Sequence, residues 1–223
     1  MAFSLNLKNR LRAALTSSGA ATELLGYYDV TTKGTGEASK AVVLDSNKRF
    51  DGFGPAGGAG GGLVYSNTAA STTIGNTGGA ETLFDLSYSL PANSLQAGTK
   101  VRVRYAGFGV TGVGSDTFAH KLYIGGSGGT ALITSAAAVL ATNATFTGES
   151  ELICRTAGAT GTFVAFGTYK QSSAEGTMTV KDDYVASTTI NTTAAQTICV
   201  TGTWNSNNAN SVRLDLLFIE VEG

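Results

Sequence analysis

The chain has 223 residues, of which 30 are glycine and 2 proline, with 14% charged residues and a formal net charge of −1. That length holds one domain with a substantial core plus a tail, and the glycine-rich, weakly charged composition describes short strands joined by tight turns rather than a helical enzyme. Near-neutrality supplies no broad positive field, so neither a nucleic-acid partner nor an anionic membrane surface is expected.

The chain opens MAFSLNLKNRLRAAL. Leu7, Leu11, Ala14 and Leu15 stand at the i, i+4, i+7, i+8 spacing of one helical face, which predicts a short amphipathic helix over 5–16. Lys8, Arg10 and Arg12 interrupt the apolar positions, so neither a membrane span nor a secretory leader is expected there. In a reducing cytosol Cys154 and Cys199, both in apolar strand-like segments, are then expected as buried thiols. Gly19 ends the helix, and a second apolar turn at Leu24 and Leu25 runs into Gly26. A helix of about three turns is marginal alone in water. Its apolar stripe must bury against the chain's own β domain or against a neighbouring protein, and the long glycine-rich stretch that follows favours the second, so Leu7, Leu11, Leu15, Leu24 and Leu25 are candidate anchoring residues and 1–30 a helical anchor.

Residues 31–80 read as a Gly/Ser/Thr-rich extended linker, too poor in apolar side chains to pack a core. A short strand island interrupts it at 41–54 (AVVLDSNKRFDGFG), where DSNKRFDG reads as a turn because it lacks the closing glutamate of a calcium loop. GGAGGG at 57–62 has no Lys-Ser/Thr pair after it and is not read as a phosphate loop.

From 81 to 223 the pattern becomes alternation. Phe84, Leu86, Tyr88 and Leu90 share one strand face ending at Pro91, and Val101, Val103 and Tyr105 alternate with Lys100, Arg102 and Arg104. Further strands are expected at 118–124, 132–134, 145–155, 162–169, 177–181, 186–190, 195–204 and 212–221. About eight to ten short strands with glycine turns between them predict a mainly β, antiparallel sandwich, the jelly roll first among sandwiches. The last strand is apolar on both faces, Leu214, Leu216 and Phe218 against Leu217, Ile219 and Val221, and the second set is a candidate subunit interface.

The residues nominate no catalytic, cofactor-binding or metal site, and no cofactor or enzymatic activity is expected. His120 is the single histidine, lies in the strand FAHKLYI without a second ligand at metal spacing, and reads as structural. Asp182 and Asp183 are adjacent, so on a strand they would face opposite ways; a solvated turn suits them better than an acid/base pair. No G-x-S-x-G elbow is present. Trp204, the only tryptophan, reads as core-edge packing rather than a sugar platform, with NSNNAN at 205–210 as a polar tip; Tyr27 and Tyr28 end the anchor.

The segment AVVLDSNKRFDGFG, followed by ETLFDLSYSLPANSLQAGTKVRVRYAGFGV, ELICRTAGATGTFVAFGTY and TTINTTAAQTICVTGTWNSNNANSVRLDLLFIEVEG, resembles tailed-bacteriophage virion accessory proteins, the capsid decoration, cement and head-fibre proteins with a C-terminal jelly-roll module. The resemblance spans most of 41–223 and carries no catalytic signature. It implies a homotrimeric structural module on the capsid exterior, assembled in the host bacterial cytoplasm and held to the major capsid protein or another virion protein by its N-terminal segment. The alternative is the tip of a tail fibre or spike that binds a host-surface glycan.

Overall fold

The computed structural model describes residues 62–112, 114–140, 143–174 and 177–223. The anchor residues Leu7, Leu11, Leu15, Leu24 and Leu25, the island at 41–54, and Tyr27 and Tyr28 lie outside the described residues. In chain order the strands are β1 (Gly62–Ser66), β2 (Thr82–Leu90), β3 (Lys100–Val110), β4 (Thr117–Ile124), β5 (Thr130–Thr134), β6 (Ala138–Val139), β7 (Ala144–Thr156), β8 (Gly161–Ala174), β9 (Thr177–Ile190), β10 (Gln196–Trp204) and β11 (Ser211–Glu222). They form two antiparallel sheets, a six-stranded one in the order β1-β11-β3-β7-β8-β9 and a five-stranded one in the order β2-β10-β4-β5 with β6 also on β4. The molecule is thus mainly β, a sandwich with its core between the sheets.

Four pairs nest inside one another along the chain: β1 with β11, β2 with β10, β3 with β7, and β4 with β5. The β8–β9 hairpin falls outside this nesting and extends the six-stranded sheet beyond β7.

Alternation decides which side chains enter the core. Val101, Val103 and Tyr105 of β3 point inward while Lys100, Arg102 and Arg104 point out, and Phe146 and Leu152 of β7 are likewise buried. Opposite both rings of this pair of strands stands a glycine. Tyr105 pairs with Gly148 and Phe146 with Gly107, and a methyl group on either glycine would overlap the facing ring. The rings fill the volume those glycines leave, which brings the interior to close packing. Phe84, Phe118, Phe146, Tyr105, Tyr169 and Trp204 are fully buried, each contributing about 1.5–3 kcal/mol over exposure.

Three expectations change. The sandwich begins at Gly62 rather than at 81: β1 pairs with β11, and the stretch that follows tracks the same strand through Ser71 N–H to Leu214 O (2.8 Å) and a two-way bridge between Ile74 and Val212. The strand LVY and the lone Ile74 are too short to show a period. Second, β9 is one strand of 14 residues where the sequence suggested two strands and a turn at Asp182–Asp183; cross-strand pairing overrides the low strand propensity of the two aspartates. Third, Leu217, Ile219 and Val221, the candidate interface set, are fully buried in the core of the protomer. A register shift between Leu214 and Leu216 turns Leu214 inward with them and leaves Asp215 and Leu216 both outward. Asn67 holds that bulge, its Nδ2 donating to Asp215 O at 2.8 Å and its Oδ1 accepting from Leu217 N at 2.7 Å.

Candidate interaction surface

The outer face of the six-stranded sheet divides into two zones. Across β11, β3 and β7 it is striped by charge, strand against strand. Arg102 lies between Glu220 (3.4 Å) and Glu151 (3.1 Å), and Arg104 pairs with Glu149 at 3.0 Å. These pairs are partly or well exposed, so they specify register more than stability.

Beyond β7 the character changes. In β8 the inward positions are Phe163, Ala165, Gly167, Tyr169 and Gln171, which leaves Phe166, Thr168 and Lys170 pointing out. Their partners on β9 are Tyr184, Asp182 and Val180, with Met178 one step further along the same face. Phe166 and Tyr184 are each 61% exposed, with ring centroids 4.9 Å apart at 40°. Met178 and Val180 are as open, at 56% and 55%. Four large apolar side chains are thus exposed on one strand-borne face, more than the singly scattered surface hydrophobes that need no explanation. Asp182 Oδ1 accepts from Thr168 Oγ1 at 2.7 Å, yet among the described residues neither Asp182 nor Lys170 has an ion-pair partner.

Asp183 and Lys181 sit on the other side of β9, joined at 3.4 Å, and the backbone N–H of Thr134 donates to Asp183 Oδ2 at 2.8 Å. The two neighbouring carboxylates therefore face opposite ways, as the sequence implied, but within a strand instead of a turn. Asp183 covers an open backbone donor on β5 while Asp182 lies between Tyr184 and Val180 on the outer face.

His120 is structural. Its ring is buried among Phe118, Phe146, Tyr105 and Tyr169, with Nδ1 2.8 Å from the Tyr105 hydroxyl. Burial alone pushes its pKa down to about 3, so the ring is neutral near neutral pH. Nε2 has no hydrogen-bond partner among the described residues, nor does Oε1 of the buried Gln171. Both cysteines are free and buried, and for Cys199 burial, followed by the Glu81 carboxylate, raises the thiol to about 11. Such thiols are poor nucleophiles.

Trp204 is fully buried against Phe118 (5.1 Å) and offers no stacking platform. The loop after it is tied down by Asp116, whose carboxylate accepts from Asn208 Nδ2 (3.0 and 2.9 Å) and from Asn210 Nδ2 (2.8 Å). The Asn-rich segment is thus a buttress between two loops, with Asn210 itself buried.

The residues that form the exposed patch were not singled out by the sequence. Met178, Val180 and Tyr184 do keep one parity, but KDD between them reads as a turn, and Phe166 in TFVAFGTY looks like a core residue. It faces outward because the small residues Ala165 and Gly167 take the inward positions.

The class that the fold defines is a two-sheet antiparallel β-sandwich. No protein-family model matches the chain, and no curated protein matches it. Among solved structures the chain is distantly similar to a chain from infectious bursal disease virus, Gt strain, at 17% identity and a TM-score of 0.34, over 72% of this chain and 33% of that one. It is also similar to lectin UEA-II complexed with galactose, at 8% identity and a TM-score of 0.37, over 73% and 92% of the two chains. This chain spans about a third of the length of the first.

Proposed function

We propose that the chain is a non-enzymatic structural protein of a tailed-phage particle, a homo-oligomeric jelly-roll module that decorates or cements the capsid exterior and is held to the major capsid protein or another virion protein by its N-terminal segment. The observation that carries this reading is the strand order. Nested pairs β1–β11, β2–β10, β3–β7 and β4–β5, dealt alternately into two sheets, are what a doubly wound Greek key requires, an architecture used in viral capsid domains and in lectins. The sequence resemblance supplies the phage particle, and the exposed hairpin face supplies a surface for assembly. A module of this kind acts by binding and shape, and repetition of weak contacts over a symmetric shell multiplies their effect.

Co-sedimentation of the full chain with undecorated phage heads tests the reading. Binding is expected for the full chain, and loss of binding with an intact sandwich is expected for Leu11→Asp/Leu15→Asp; a full chain that ignores heads would sink the proposal. The second reading, a fibre or spike tip that binds a host glycan, is favoured by one observation, the exposed Phe166–Tyr184 pair bordered by Thr168 and Asp182. Binding to host cells without binding to heads would establish it instead.

A further inference from the structure

We propose that the outer face of the β8–β9 hairpin is the contact between copies of this chain, burying Phe166, Tyr184, Val180 and Met178 of each copy and setting Lys170 of one copy against Asp182 of another. This rests on the reading of the chain as a homo-oligomeric display module and names the surface that reading lacks once Leu217, Ile219 and Val221 are assigned to the core.

Three features of the hairpin select a second copy as the occupant. The first is charge. On the rest of the outer face Arg102 and Arg104 are matched by carboxylates within the chain, whereas Lys170 and Asp182 carry opposite charges on the same face of the same hairpin with no ion-pair partner among the described residues. Lys170 stands opposite Val180 and Asp182 opposite Thr168 in adjacent rungs, so one charge of each sign lies between the aromatic and the aliphatic ends of the face. A surface of that composition is complementary to itself: when residue i of one copy meets residue j of the next, a cation meets a carboxylate at every contact, in an isologous pair or around a closed ring.

The second is the position of the apolar groups. Phe166 and Tyr184 form one end of this face and Val180 and Met178 the other, with Thr168, Asp182 and Lys170 in the rungs between, so an aromatic and an aliphatic anchor flank the charges a partner copy would meet.

The third is what β9 forbids. As the edge strand of its sheet among the described residues, it presents backbone groups that could recruit another strand. Lys181 and Asp183 place an ion pair on its core-facing side, and inward-pointing charges of this kind block edge-to-edge extension. Association is thereby steered from the edge to the face.

The test is the mass of the full chain by light scattering across a dilution series. Phe166→Ser/Tyr184→Ser is expected to be monomeric where the wild type is a multimer, with an unchanged far-UV circular dichroism spectrum because both rings are mostly solvent-exposed. Lys170→Glu and Asp182→Lys are each expected to weaken association at least about tenfold, and the double variant Lys170→Glu/Asp182→Lys to recover it. An equimolar mixture of the two single variants should recover it as well. A multimer whose mass withstands Phe166→Ser/Tyr184→Ser, a double variant no better than the singles, or a monomeric wild type overturns the proposal. Head co-sedimentation separates the two levels: hairpin variants that stay multimeric and still bind heads refute this interface and leave the decoration reading standing. Loss of host-glycan binding in Phe166→Ser/Tyr184→Ser with no change in mass assigns the patch to a sugar instead.

Discussion

Lowering the pH from 6 to 5 is expected to destabilise this protein by about 1 kcal/mol through one side chain. His120 is the only histidine in the chain. In the folded state burial holds its pKa near 3, against 6.5 for a free imidazole. The native ring therefore stays neutral in this interval while the unfolded chain takes up most of a proton. Stability is complete above pH 6.5 and is lost as the pH falls toward 3. Over the whole interval the loss would reach on the order of 4–5 kcal/mol at 1.36 kcal/mol per pKa unit. Carboxylates join only near and below pH 5, so the window between 6.5 and 5 belongs to His120. The assay is urea unfolding at pH 7, 6 and 5 at fixed protein concentration, followed by the fluorescence of Trp204, the sole tryptophan and a fully buried one. His120→Leu should flatten the dependence above pH 5. A wild-type stability that does not change between pH 6.5 and 5, or a His120→Leu variant with the same slope, would refute the assignment of a neutral, proton-excluding histidine.

Gly148→Ala should cost about 1–3 kcal/mol as overpacking, because the new methyl overlaps the Tyr105 ring and disturbs the Tyr105–His120 hydrogen bond; a midpoint within error of wild type in the same urea titration would contradict the ring-over-glycine packing. Leu217→Ala should cost about 2–5 kcal/mol and leave the mass of the folded fraction unchanged, since the side chain is wholly inside the protomer; a stable variant that falls apart into monomers would return Leu217 to a subunit interface.

Much of the fold could be read in the sequence because buried strands in an antiparallel sheet must alternate. VRVRY at 101–105 and TFTGESELICRT at 145–156 carry that period; the expected strands at 145–155 and 212–221 agree with β7 and β11 to within a residue or two, while β3 runs on to Val110, five residues past VRVRY. Where the period fails, sequence reading fails with it. β1 has three apolar residues set in glycine, serine and threonine, so its place in the sheet depends on β11, 150 residues away. The bulge at Leu214–Leu216 shifts parity within β11, so a strict count of two separates Leu214 from Leu217, Ile219 and Val221, which share its buried face. Charges decided β9 wrongly as well: Lys181, Asp182 and Asp183 look like a turn until β8 is known to run the whole length beside them. Of the interaction surface, nothing was visible from the pattern alone. An outward Phe166 and an inward Gly167 invert the usual inference from residue type, and only the packing of Ile133 against Gly167 shows why the glycine is required inside.

That inversion bears on what the hairpin is for. The four nested strand pairs already close a sandwich around the aromatic cluster, and β8 completes it with Phe163, Ala165 and Tyr169. β9 adds little to this core, since Ile190 at its end is its only buried apolar side chain among the described residues. A 14-residue strand that buries so little is not explained by stability, because ordering each of its residues costs about 1–2 kcal/mol of backbone entropy. What β9 does supply is a partner for every outward residue of β8 from Phe166 to Ser172, which turns a single exposed ring into a two-strand platform of fixed geometry. The expense of that platform is offset if its outer face is buried against another molecule, and Lys170 and Asp182, without ion-pair partners among the described residues, are the charges such a contact would satisfy.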